Sequence, residues 1–198
     1  LFQNFMNLCA SRIGQVINQQ SIANDLGVSN TTIGQWLSIL EASFVLVRLK
    51  PYFENLGKRI IKSLKLYFVD VGLAAHLNGI ESSAELQKSA LKWALVVLEL
   101  FKNWYNLGKS SNLYFFRDSH QNEVDLLYKN ADELIPIEIK GGQTFNPQFL
   151  KGLQYFQALA PHRVKTGYLL YTGDIEQQVQ GFHLLNILHL DRIFATTK

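Results

Sequence analysis

The segment Leu134-Ile135-Pro136-Ile137-Glu138-Ile139-Lys140 alternates so regularly that it constrains the rest of the chain. Side chains on a strand point to opposite faces in turn, so Ile135, Ile137 and Ile139 share one face. Pro136, Glu138 and Lys140 share the other. In the preceding strand, Val124 and Leu126 face one way and Asp125 the other. If the two strands pair, Asp125, Glu138 and Lys140 converge on one side of a sheet. Two carboxylates beside a lysine suit metal-dependent phosphodiester hydrolysis. The carboxylates supply oxygen ligands for a hard cation such as Mg²⁺ or Mn²⁺, which lowers the pKa of an attacking water. Lys140 would orient or help deprotonate that water, or stabilise the developing charge. Glu99 offers a further carboxylate. It lies in an otherwise apolar stretch, Leu95-Val96-Val97-Leu98-Glu99-Leu100-Phe101, where an unpaired charge is costly. A strand alternating Glu with Lys also suits a solvated, salt-bridged face, so the surrounding order of elements has to decide.

That order favours the site. Asn78 to Ser83 is polar and turn-rich and reads as a domain boundary, dividing the chain into residues 1–80 and 81–198. Beyond it, Ala84 to Leu107 reads as one long, largely buried helix. Strands are expected at Leu113 to Phe116, Val124 to Tyr128 and Leu134 to Lys140. An amphipathic helix, Pro147 to Leu159, follows. Thr166 to Tyr171 and Phe182 to Leu190 read as two more strands, with a short helix near Glu176 between them. The fold class is α/β, more narrowly α+β: a mixed sheet flanked by helices, as in restriction endonucleases.

Before the boundary, three helices are expected: Phe2 to Ser11, Gln19 to Leu26 and Thr31 to Ala42. Ile22, Ala23, Leu26, Gly27, Val28, Ile33 and Trp36 fit a helix-turn-helix. Ala23 is small enough for two helices to cross, and Gly27 accepts the turn conformation. Ile33 and Trp36 are expected to pack the second helix of the motif onto the first. Thr31, Thr32 and Gln35 would point outward, able to hydrogen-bond nucleic acid. Strands at Phe44 to Leu49 and Leu64 to Val69 would make the motif winged, with a hairpin tip around Glu54 to Lys58. Lys58, Arg59 and Lys62 belong to a basic patch on that wing. The outward helix carries no Arg or Lys, so phosphate neutralisation would rest on the wing. Winged helices also serve as protein-docking modules.

Composition narrows the class. The chain has 198 residues, 47% hydrophobic and 18% charged, with a formal net charge of +3, which fits a folded protein rather than a disordered one. No stretch approaches about 18 uninterrupted apolar residues, so no membrane span is expected. Cys9 is alone, which excludes an internal disulfide and suggests a buried thiol in a reducing cytoplasm. The first residues lack a starting Met and a basic n-region, and read as a helix entered midway. Gly108-Lys109-Ser110 imitates the end of a phosphate-binding loop, but Asn103 stands where a Walker A glycine is needed. The five histidines show no ligand-like spacing.

Several stretches acquire a shared meaning when taken together. They are Leu49-Lys50-Pro51-Tyr52, Lys58-Arg59, Lys65-Leu66-Tyr67-Phe68-Val69-Asp70-Val71-Gly72-Leu73, Phe115-Phe116-Arg117, Glu123-Val124-Asp125-Leu126 and Ile135 to Lys140. In combination they resemble the uncharacterised domain that follows the ATPase module in many prokaryotic AAA-superfamily proteins. That domain is similar to PD-(D/E)xK nucleases, and the resemblance implies the roles given above for Asp125, Glu138 and Lys140. It also implies an ATPase domain before residue 1, through which the protein could oligomerise. One departure concerns Glu99: Leu95 stands where the family usually has a glycine, one turn before the acidic residue. Three functions remain open: a metal-dependent nuclease module, a noncatalytic DNA-binding module, and a protein-interaction module that regulates the ATPase.

Overall fold

The computed structural model describes residues 1–54, 61–106 and 112–195. It is a mixed α/β protein that divides into two compact units. One is formed by residues 1–50 and 63–99, the other by 51–62 and 100–198.

The first unit opens with α1 (Phe2–Ser11), α2 (Gln19–Leu26) and α3 (Asn30–Ala42). Their ends follow from local chemistry. The Asn18 side chain accepts the Ser21 N–H at the start of α2, and Gly27 closes it in the left-handed conformation at φ 67°. Ser29 then accepts the Thr32 N–H to start α3. Ile22, Ala23 and Ile33 are fully buried, as the apolar spacing requires. Trp36 meets α1: its ring lies 5.3 Å from that of Phe2 and 5.1 Å from that of Phe5. Strands β1 (Leu46–Pro51) and β2 (Lys65–Phe68) form an antiparallel pair in the register Leu46↔Phe68 to Leu49↔Lys65. Cys9 is buried, and burial pushes its thiol up to about 12.

One helix was not foreseen, and one helical expectation needs correction. Asp70 accepts the N–H groups of Gly72 and Leu73 and starts a helix, α4 (Val71–Leu77), that the strand-like sequence around it hides. The long helix expected over Ala84 to Leu107 is two helices, α5 (Ser83–Lys88) and α6 (Leu91–Asn106). Ser89 adopts an extended conformation, and its hydroxyl donates to the Leu86 carbonyl while accepting the Leu91 N–H. A serine that hydrogen-bonds its own backbone competes with helix continuation. α6 contributes to the first unit through Glu99 and to the second from Leu100 onward.

The second unit contains β3 (Leu113–Arg117), β4 (Glu123–Asn130) and β5 (Glu133–Lys140), then a 3-10 turn (Pro147–Leu150) and α7 (Lys151–Leu159). Strands β6 (Tyr168–Tyr171), β7 (Gln177–Val179) and β8 (Phe182–Asn186) follow, and α8 (Arg192–Ala195) closes the described chain. The strands lie in the order β3-β4-β5-β6-β8-β7. β5 pairs with β6, and β6 with β8, in parallel; the other pairs are antiparallel. The short helix expected near Glu176 is replaced by the β7–β8 hairpin. Gln180 and Gly181 both take positive φ there, which a two-residue hairpin turn demands. β8 stops at Asn186, whose side chain accepts the Leu188 N–H and starts a 3-10 turn where the sequence suggested more strand. The core beneath the sheet gathers Phe116, Leu127, Leu153, Phe156, Leu169 and Phe182. Among the described residues, no helix is long and apolar enough to cross a membrane.

Candidate metal centre

Asp125, Glu138 and Lys140 lie where β4 and β5 stop answering each other residue for residue. Their antiparallel register runs from Asn130↔Glu133 to Leu126↔Ile137. One step further, the Ile139 N–H donates to the carboxylate of Asp125 at 2.9 Å. A side chain thus takes a donor that a continuing ladder would give to a main-chain carbonyl. On its other edge β5 keeps full parallel pairing with β6, from Ile137↔Tyr168 to Lys140↔Tyr171. Asp125 is therefore set beside Glu138 and Lys140 by two neighbouring strands, one of them paired on both sides.

Glu138 is 6% exposed and forms an ion pair with Lys140 through Oε1. Its second oxygen, Oε2, is buried and has no hydrogen-bond partner. Burial pushes the Glu138 carboxyl up, and the Asp125 charge adds to the effect; Lys140 pulls the other way without cancelling it. For Lys140, burial alone would lower the pKa, but Glu138, Asp125 and Glu123 more than offset it and leave the ammonium favoured. Glu123 also pairs with Arg117 at 3.3 Å, so the edge of the site carries a second cation held by a carboxylate.

The donor set fits a hard divalent cation. Two carboxylates stand close enough to repel, and a buried carboxylate oxygen without a partner is costly unless something satisfies it. Among the described residues, no group of three or more His, Cys, Asp or Glu side chains is placed to hold a metal. Two carboxylates with water and phosphate oxygens are a customary Mg²⁺ set, whereas a wholly protein-made cage is not. Asp125 and Glu138 are the residues that would hold such an ion. Lys140, paired with Glu138, competes for the same oxygens.

Glu99, the fourth residue singled out, is half-buried on α6 within the first unit and is not without a partner. The trio itself is assembled from the second unit alone.

The residues expected to touch nucleic acid have different fates. Thr31 and Gln35 line an open groove of about 800 Å³ along α3, with Asn30, Ser38 and Arg48. Thr32 is turned to another task, its hydroxyl lying 2.8 Å from that of Ser29 at the helix start. Arg48 is bound to Glu41, so its charge is already answered. Lys62 is exposed; Lys58 and Arg59 lie outside the described residues.

Sequence reasoning missed several residues around the trio. Gly152 on α7 lies against Glu138, and a Cβ there would stand 2.6 Å from the Glu123 carbonyl oxygen and 3.1 Å from Glu138 Oε2. Asp118 is fully buried. It accepts the His120 and Asn122 N–H groups, the Asn122 side-chain amide and the Tyr155 hydroxyl at 2.6 Å. Burial would raise its pKa, but these hydrogen bonds, Tyr155 foremost, more than offset burial and hold it below the usual range. A glycine inside an amphipathic helix was the one available signal; Asp118 was not singled out.

Comparison with known proteins finds two family matches and supplies no activity. Residues 1–84 match a family described as a domain of unknown function, DUF8612, and residues 94–190 match a domain of unknown function, DUF4143. An uncharacterised protein of Mycobacterium bovis is 29% identical over 164 residues, covering 81% of this chain and 36% of its own length. One from Mycobacterium tuberculosis gives the same figures. An uncharacterised protein of Haemophilus influenzae is 28% identical over 138 residues, covering 66% of this chain and 31% of its own. The chain thus spans about a third of the length of the curated relatives it matches. No solved structure matches it.

Proposed function

We propose that residues 81–198 form a divalent-cation-dependent phosphodiesterase module of the PD-(D/E)xK kind, attached to a nucleic-acid-binding winged helix-turn-helix. In the full-length protein both would follow an ATPase domain. The reading rests above all on one observation: Glu138 Oε2 is buried and unpaired within the same small cluster as the Asp125 carboxylate. A bound Mg²⁺ or Mn²⁺ would supply a polarised phosphoryl oxygen and a water acidic enough to attack near neutral pH. The chain's own residues would do the rest. Asp125 accepts the Ile139 N–H, which would fix its carboxylate beside β5. Lys140, released from Glu138, would place a positive charge where negative charge develops on the phosphate. Thr31, Gln35 and Lys62 would contact nucleic acid, with Lys58 and Arg59 adding phosphate contacts.

The experiment is cleavage of single-stranded, duplex and branched DNA with Mg²⁺ or Mn²⁺. Cleavage should be abolished by Asp125→Ala and by Lys140→Ala. Absence of cleavage on all three substrates would refute the catalytic reading for this chain.

A second reading has an observation in its favour: the Lys140 ammonium closes on Glu138 and answers much of the charge a cation would answer. On that reading the module binds DNA without cutting it. Binding would then be salt-sensitive, weakened by neutralising Lys62, Lys58 and Arg59, and indifferent to Asp125→Ala. No DNA binding even at low salt would leave a protein-interaction role.

A further inference from the structure

We infer that the first turn of α7 is a fixed cover over the Glu138 carboxylate, and that Gly152, Tyr155 and Asp118 are the positioning residues that hold it there. The inference deepens the proposed cation site and rests on that reading for its functional meaning.

Glycine is the least helix-favouring residue apart from proline, so a glycine in the second position of α7 calls for a reason. The reason is contact. A side chain at 152 would meet the Glu123 carbonyl oxygen at 2.6 Å and Glu138 Oε2 at 3.1 Å. The first of these atoms is main chain in β4, so a change of rotamer cannot relieve the clash. Only glycine lets the helix backbone lie this close to the sheet. Nearly one turn further on, Tyr155 donates its hydroxyl to Asp118 Oδ2 at 2.6 Å. Asp118 is itself immobile: two main-chain N–H groups occupy its Oδ1, and Asn122 shares its Oδ2. Between these two anchors Leu153 is fully buried, and Phe156 follows immediately in the core. The helix is therefore fixed against sliding by Gly152, against rotation by Tyr155, and against lifting by its apolar face.

The consequence falls on Glu138. Its Oε2 lies beneath a helix backbone that offers it no hydrogen bond, so the carboxylate is held in place with that oxygen unpaired. Outer groups that orient a metal-binding carboxylate act through the ligand and not on the metal itself.

The test compares the intact chain with Gly152→Ala, Tyr155→Phe and a control, Gln154→Ala. Gln154 is exposed and pairs with Gln180 on the surface. Three quantities are read: helix content by circular dichroism, the ¹³C resonance of the Glu138 carboxyl (assigned with Glu138→Gln), and Mn²⁺ affinity by calorimetry. Gly152→Ala should keep its helix content, shift the Glu138 resonance and weaken Mn²⁺ binding by about 10-fold or more, as loss of outer-shell support does. Tyr155→Phe, which removes one oxygen only, should move both readings the same way by less. The control should move neither. A folded Gly152→Ala chain with an unchanged Glu138 resonance would overturn the inference. If the parent chain binds no Mn²⁺ while the resonance still shifts in Gly152→Ala, the cation site fails and the cover stands.

Discussion

Glu54 shows how a single exposed-looking acid can fix a segment. It pairs with Lys129 at 2.8 Å and also with Arg163, whose guanidinium stacks over the Tyr52 ring at 6.0 Å. Lys129, then Tyr52, then Arg163 pull its pKa down to about 2. The sign follows from linkage. A carboxyl whose folded pKa lies below its unfolded value adds stability that is fully present above the unfolded value. That contribution is lost as pH falls through the folded pKa. Glu54→Gln should therefore flatten the acid side of the stability profile, between about pH 5 and pH 2, in denaturation series. Glu54 is partly exposed, so solvent screens the gain and the effect should be modest. A profile identical to the parent's would contradict this role. Glu54 read as a hairpin tip in the sequence because its partners stand 75 and 109 residues away. Asp125, Glu138 and Lys140 were legible for the opposite reason: each sits on a strand whose alternation fixes its face. Gly152, Asp118 and Tyr155 were not, since only the packing of α7 on the sheet brings them together.

At the scale of elements, caps and turns decided where sequence patterns succeeded. α2 and α3 carried their punctuation in plain view: Asn18, Gly27 and Ser29 sit at their ends. α4 went unread because apolar Val71 to Leu77 continues a strand-like run, and only the Asp70 cap marks the change. The break at Ser89 was equally hidden, because the apolar periodicity continues across it. The β4–β5 hairpin carries its own test. Ala131 takes φ 51° in the two-residue turn between Asn130 and Glu133. A left-handed alanine costs roughly 1–2 kcal/mol that glycine avoids. Ala131→Gly should therefore stabilise the protein by about 1 kcal/mol, less the greater entropy glycine loses on folding. Urea denaturation would reveal it as a raised midpoint. A lowered midpoint would mean that the Ala131 methyl group contributes packing worth more than the strain it costs.

Taken whole, the molecule joins two units of different chemistry. The first offers a helix face with little free charge, where Arg48 is already matched by Glu41. The second concentrates Asp125, Glu138, Lys140, Glu123 and Arg117 at the ends of three strands, β3, β4 and β5. Two carboxylates crowd together there with one oxygen unpaired, and perturbed carboxyls of this kind cluster at functional sites. The deciding property is whether that pair takes a divalent cation. Calorimetric titration of Mn²⁺ into the intact chain measures this directly. One ion should bind per chain, and binding should be lost in Asp125→Ala and in Glu138→Gln while both variants keep their helix content. No binding by the parent chain, or binding that survives Asp125→Ala unchanged, would contradict the account.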